Sequence, residues 1–144
     1  MIARRLSKVG RFVRNTAGTA AVEFALVLPV LLLVTLGIIE GGRTFLALHA
    51  LEKVAGDGVR YASVRGSESQ SPVTQAQVDA FVKSRAAGLV AAELAVNLVW
   101  PDGNNDPGSR VTVQVAYDHE PLFGDFVGWQ TFHFERASTL SIMR

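Results

Sequence analysis

The run Phe24-Ala-Leu-Val-Leu-Pro-Val-Leu-Leu-Leu-Val-Thr-Leu-Gly-Ile-Ile39 is 16 residues without a charge, closed by Glu23 and Glu40. With Thr19 to Val22 before it and the small Gly41 and Gly42 after it, the hydrophobic segment reaches about 20 residues, and at ~1.5 Å per residue such a helix spans a ~30 Å hydrocarbon core. Arg4, Arg5, Lys8, Arg11 and Arg14 precede it with no acid among residues 1–18, and the acidic Glu40 follows it. The positive-inside rule therefore predicts a cytoplasmic N-terminus. A secretory signal peptide would have an apolar core of only ~7–15 residues and a small-x-small cleavage site. Here the apolar run leads into Glu40-Gly-Gly-Arg43, so a membrane helix is the better reading.

The formal net charge of +1 conceals a division. The first 18 residues carry five basic side chains, and residues 19–144 carry nine basic and 13 acidic ones, a net of −4. Apolar residues at 49%, charged residues at 19% and a mean hydropathy of +0.24 exclude a disordered or low-complexity chain. The absence of cysteine excludes a disulfide scaffold, thiolate metal sites and a cysteine nucleophile. The basic residues precede a membrane span, so anionic lipid and topology account for them and no nucleic acid is expected as a partner.

The helical pattern continues past the apolar run. Phe45, Leu48, Leu51, Val54 or Ala55, Val59 and Ala62 recur at three- to four-residue spacing, the stripe of an amphipathic helix. Gly56 and Gly58 weaken this stretch, and the turn formers Val64 to Pro72 end it. One helix from about residue 22 to about residue 64 would be ~60 Å long. Thr74, with Gln77 three residues on, predicts a capping box and a second helix with Val78, Phe81, Val82, Ala86, Leu89 and Val90 on its apolar face. The period then changes. Residues 95–100 are a strand candidate, residues 101–109 a polar turn, and Val111, Val113, Val115 and Tyr117 alternate with polar or small residues as in a half-buried strand. Residues 121–128 read as a loop, and Phe132 to Ile142 as a last strand or two strand pieces. The expected fold class is α+β: a long N-terminal helix, first transmembrane and then amphipathic, a second helix, and a small antiparallel β-meander.

The junction Asn15-Thr-Ala-Gly18-Thr-Ala-Ala-Val-Glu23-Phe24 places a glutamate five residues after a glycine at the mouth of the apolar helix. A carboxylate there is unfavourable, by about 2.5–3.5 kcal/mol at mid-bilayer and less near an interface. This junction resembles the processing site of type IV pilins and pseudopilins. Together with Pro29, the exit Gly37-Ile-Ile-Glu-Gly-Gly-Arg43 and the later Gly58-Val-Arg-Tyr-Ala62, it is similar to the TadE-like family, minor pseudopilins of tight-adherence (Tad, Flp-type) pilus systems. The resemblance covers roughly residues 15–65, and the sister TadF family shares the same N-terminal logic.

The resemblance implies that a prepilin peptidase cuts after Gly18, leaving Thr19 as the new N-terminus. It further implies that Glu23, beside Phe24, pairs with the α-amine of a neighbouring subunit during docking. Pro29 removes a backbone donor and tends to kink the helix, and the spacing of Gly37 and Gly41 permits close helix contact. The implied partners are the prepilin peptidase, other pilins or pseudopilins, the inner-membrane Tad assembly platform and membrane lipid, with no cofactor. The expected organisation is a basic leader at 1–18, a transmembrane and assembly helix at 19–64, and a periplasmic or extracellular α+β domain at 65–144. The alternative is an uncleaved single-pass membrane protein whose outer domain binds a partner.

Other constellations carry little chemistry. Asp102, Asn104 and Asp106 have the order of a calcium loop, but Pro107 stands where an EF-hand needs glycine and Val113 where it needs glutamate. Asp118, His119 and Glu120 are strand neighbours pointing to opposite faces, and His49 and His133 are isolated in the sequence. No convergent catalytic group emerges, and the chain is not expected to be an enzyme.

Overall fold

The computed structural model describes residues 16–143, so the basic side chains of the expected leader, Arg4, Arg5, Lys8, Arg11 and Arg14, lie outside the described residues. Helix α1 is Thr16–Ser63 and α2 is Gln75–Arg85. A 3-10 turn, Ala91–Glu93, leads into β1, Leu94–Val99, and then β2, Arg110–His119, α3, Gly124–Val127, and β3, Phe132–Ser141. The strands form one antiparallel sheet in the order β1-β2-β3. This is the expected α+β architecture with a meander.

The described residues fall into two compact units, one ending at Ile39 and one running from Glu40 onward. In the first, α1 is apolar on every side. Val22, Phe24, Leu26, Val30, Leu33 and Ile38 are all exposed, and none of the apolar window is buried. A helix apolar all round belongs in a membrane or against other helices, and this one is long and apolar enough to cross a bilayer. It starts at Thr16 rather than near residue 22 because the alanine-rich stretch before Val22 favours helical backbone.

In the second unit the helix acquires a buried stripe: Ala47, Leu51, Val54, Ala55, Val59 and Ala62. They meet Val78 and Val82 of α2 and Val111, Val113, Val115 and Tyr117 of β2 in a single core. Period-two alternation puts those four β2 side chains on one face, and the helices cover it. Phe45, expected on the stripe, is instead 60% exposed, and Ala47 takes the buried position. Helix α2 opens with the expected capping box, in which Thr74 accepts from the Gln77 N–H while the Gln77 side chain accepts from the Thr74 N–H. It ends at Arg85, before Leu89 and Val90, and Gly88 at φ +84° carries the chain away. The Gln75 amide bonds both Val96 and Leu98 of β1, occupying part of that strand's free edge. The segment read as a loop over 121–128 contains α3, one turn closed by Gly128 at φ +76°.

Two glycines two residues apart in α1, and so on different faces, have different reasons to be there. A Cβ at Gly58 would lie 2.8 Å from Val82 Cγ2 and 3.2 Å from Val113 Cγ1, so glycine permits the helix to approach α2 and β2. A Cβ at Gly56 meets nothing within 4 Å. Gly56→Ala should therefore raise stability by about 1 kcal/mol through helix propensity. Gly58→Leu should lower it by about 1–3 kcal/mol through overpacking. Thermal unfolding of the full chain in detergent micelles checks both.

Candidate functional site

Every residue that the sequence singles out for processing and assembly lies on α1. Gly18 and Thr19 are exposed and already within helical backbone. Glu23 and Phe24 are exposed, and Glu23 forms no ion pair among the described residues. The helix passes through Pro29 without interruption. Proline lacks an N–H, so the Ala25 carbonyl, four residues earlier, loses its usual partner. A Cβ at Gly37 or at Gly41 would meet nothing within 4 Å, so the backbone at each is open to close approach. Thr35, the one hydroxyl inside the apolar run, bonds back to the Leu31 carbonyl at 2.8 Å. These residues are arrayed along a helix and do not converge on a pocket.

The convergent cluster is centred on Glu40, which the sequence marks only as the acid that ends the apolar run. Its side chain is 2% exposed. The His119 Nε2–H donates to Oε1 at 2.9 Å, and the Leu122 backbone N–H donates to Oε2 at 3.1 Å. Arg43, one helical turn on, donates from Nη1 to both carboxylate oxygens at 3.2 and 3.1 Å. Burial pushes the Glu40 carboxyl up. The bonds from His119, Leu122 and Arg43 outweigh it and hold the group below its ordinary value. His119 is thus a satisfied buried histidine, as its isolation from Asp118 and Glu120 implies. Its inward position was legible in the sequence, because it extends the odd-numbered series Val111, Val113, Val115, Tyr117. Nothing local in the sequence links it to a residue 79 positions earlier.

His133 is not isolated. Nδ1 lies 2.6 Å from Asp118 Oδ1 and Nε2 lies 3.3 Å from Glu135 Oε1. The hydrogen bond it donates to Asp118, then that to Glu135, raises its pKa. With both ring nitrogens on carboxylates, neither is free to act as a base. The Asp102, Asn104 and Asp106 side chains go to three different tasks. Asp102 binds Arg110, Asn104 accepts from the Asp106 N–H and the Ser109 hydroxyl, and Asp106 accepts from the Ser67 hydroxyl at 2.7 Å. The two bonds from Arg110 hold Asp102 down to about 2. These groups build the β1–β2 connection rather than facing one ion. Among the open grooves on the surface are one of about 490 Å³ across the sheet at Asn97, Gln114 and Glu135, and one of about 480 Å³ between Arg43, His49, Lys53 and Tyr117.

Removing Glu40 would leave the buried His119 ring and the part-buried Leu122 N–H without their acceptor. Glu40→Ala should destabilise the unit from Glu40 onward by about 3 kcal/mol. Because folding holds the carboxyl below its ordinary 4.5, its contribution is complete above that value and fades as pH falls through the lower folded value. Unfolding of the wild type and Glu40→Ala should therefore differ most near neutral pH and converge in acid. A gap that widens on acidification would contradict the assignment.

Comparison with curated proteins and with solved structures gives no match. Over residues 18–60, the stretch that carries Gly18, Glu23, Pro29, Gly37, Gly41 and the buried Glu40, the chain matches the family model described as TadE-like protein, the family its helix resembles.

Proposed function

We propose that the chain is a minor pseudopilin, a structural component or assembly initiator of a Tad (Flp-type) pilus, cut by a prepilin peptidase after Gly18. The observation that carries this reading is the match of residues 18–60 to the TadE-like family. Two features of α1 support it. Its surface up to Ile39 is apolar all round, as suits a helix that leaves lipid for the interior of a helical fibre. The one acid within that unit's described residues, Glu23, is exposed and forms no ion pair among the described residues, which suits pairing with the α-amine of a neighbour's Thr19.

In this reading residues 1–18 are a leader left behind, residues 19–64 the transmembrane and assembly helix, and residues 65–144 a periplasmic or extracellular α+β domain. The N-terminus lies in the cytoplasm, and the partners are the peptidase, other pilins and the inner-membrane assembly platform. A second reading, an uncleaved single-pass protein whose outer domain binds a partner, draws on one observation. The Gly18–Thr19 bond lies inside α1, which starts at Thr16, so a peptidase must unwind the helix to reach it.

Intact-mass spectrometry of the protein from cells with and without the peptidase separates the two. Loss of residues 1–18 only where the peptidase is present is expected, and an intact Met1 terminus in both strains refutes processing. Gly18→Ala should reduce cleavage sharply. Glu23→Ala should be cleaved normally yet impair pilus assembly, and normal piliation in that variant would refute the pairing role.

A further inference from the structure

The segment from Pro121 to Phe132 breaks the usual rule for a surface loop. Leu122 is 61% exposed, Phe126 79%, Trp129 46% and Phe132 37%. Its backbone is nevertheless closed on itself. Phe126 and Val127 N–H groups bond Phe123, the Trp129 N–H bonds the Gly124 carbonyl at 2.9 Å, and Gly128 takes the positive φ that closes the turn. Gly124 has no room for a side chain, since a Cβ would lie 2.8 Å from the Trp129 carbonyl oxygen. The rings continue inward from Trp129 to Phe132 at 6.5 Å, Phe134 at 6.3 Å and the buried His119 at 6.2 Å. A preformed loop that holds its largest apolar side chains outward is built to be covered.

What covers it follows from where it is tied. The Leu122 N–H bonds Glu40, and Glu40 is the residue that follows the last of the apolar run. If that run spans the bilayer, Glu40 stands at its surface. The polar headgroup layer on each side is roughly 5–8 Å deep, comparable to the reach of a side-chain hydrogen bond from that position. Aromatic rings with a polar edge, tryptophan above all, favour this layer. The neighbouring acids Glu120 and Asp125 disfavour an anionic surface, so the chemistry fits a zwitterionic one.

We infer that Leu122, Phe126, Trp129 and Phe132 form an interfacial foot that seats in the zwitterionic headgroup layer of the bilayer crossed by α1, with the Glu40 cluster holding it there. This rests on the reading of α1 as a membrane span. The foot gives the domain a membrane contact of its own, which must be withdrawn when the subunit leaves lipid.

The full chain has two tryptophans, Trp100 and Trp129, so each can be made the sole reporter. The chain is reconstituted in phosphatidylcholine vesicles with and without brominated acyl chains, which quench indole on contact. In Trp100→Phe, emission from Trp129 should fall by about half. In Trp129→Phe, emission from Trp100 should hardly change. Adding Phe126→Ser to Trp100→Phe should weaken the quenching at least about twofold without moving thermal unfolding, since Phe126 is the most exposed anchor. A control with both tryptophans replaced and Leu31→Trp reports the span itself and should be strongly quenched. Quenching at position 31 with none at Trp129 overturns the foot while leaving the span standing. A blue-shifted but unquenched Trp129 also overturns it and assigns the patch to a second copy or another protein. No quenching at position 31 removes the span, and the foot with it.

Discussion

A carboxylate taken out of water at the residue where an apolar helix ends needs every one of its acceptor sites used. Glu40 meets that requirement with a ring nitrogen from the end of β2, a backbone N–H from the following loop and a guanidinium from its own next turn. These groups come from positions 40, 43, 119 and 122, so one side chain joins the beginning of the folded unit to its far sequence end. The aromatic row from His119 through Phe134 and Phe132 to Trp129, and the outward loop on which Trp129 sits, depend on where that carboxylate holds β2's last residue.

Around this tie the helix α1 plays two parts with one geometry. Up to Ile39 it keeps its whole circumference for lipid or for other helices. From Ala47 it gives a stripe to the core with α2 and β2. The hydrogen-bond ladder is indifferent to that change, because backbone bonds satisfy themselves in either surrounding. Such a helix is stable without a fixed partner in its first half and anchored to a domain in its second, which is what the proposed function asks of it.

Much of the architecture was legible because it rests on local rules. The capping box at Thr74 and Gln77, the turn at Pro101 to Ser109 and the alternation of Val111 to Tyr117 each concern residues within a few positions of one another, and all three form. The misreadings fall where a side chain's fate depends on distant packing. Phe45 lies on the expected stripe yet faces outward, while the smaller Ala47 is buried. Gly58 weakens the helix by propensity, yet Val82 of α2 and Val113 of β2 pack where its side chain would be. Gly18, Glu23, Pro29, Gly37 and Gly41 all lie on one helix, so the local run that carries the resemblance also picks them out.

By itself, then, the sequence determined one long helix apolar in its first half, a second capped helix and a three-stranded meander, since periodicity and capping act over a turn or a pair of residues. It also carries the match of residues 18–60 to the TadE-like family model. Long-range packing is what brings Glu40 and His119 together across 79 residues and leaves Leu122, Phe126, Trp129 and Phe132 facing outward. The pairing of charges and the exposure of rings are set by which surfaces the folded chain brings together, and no local pattern encodes that proximity.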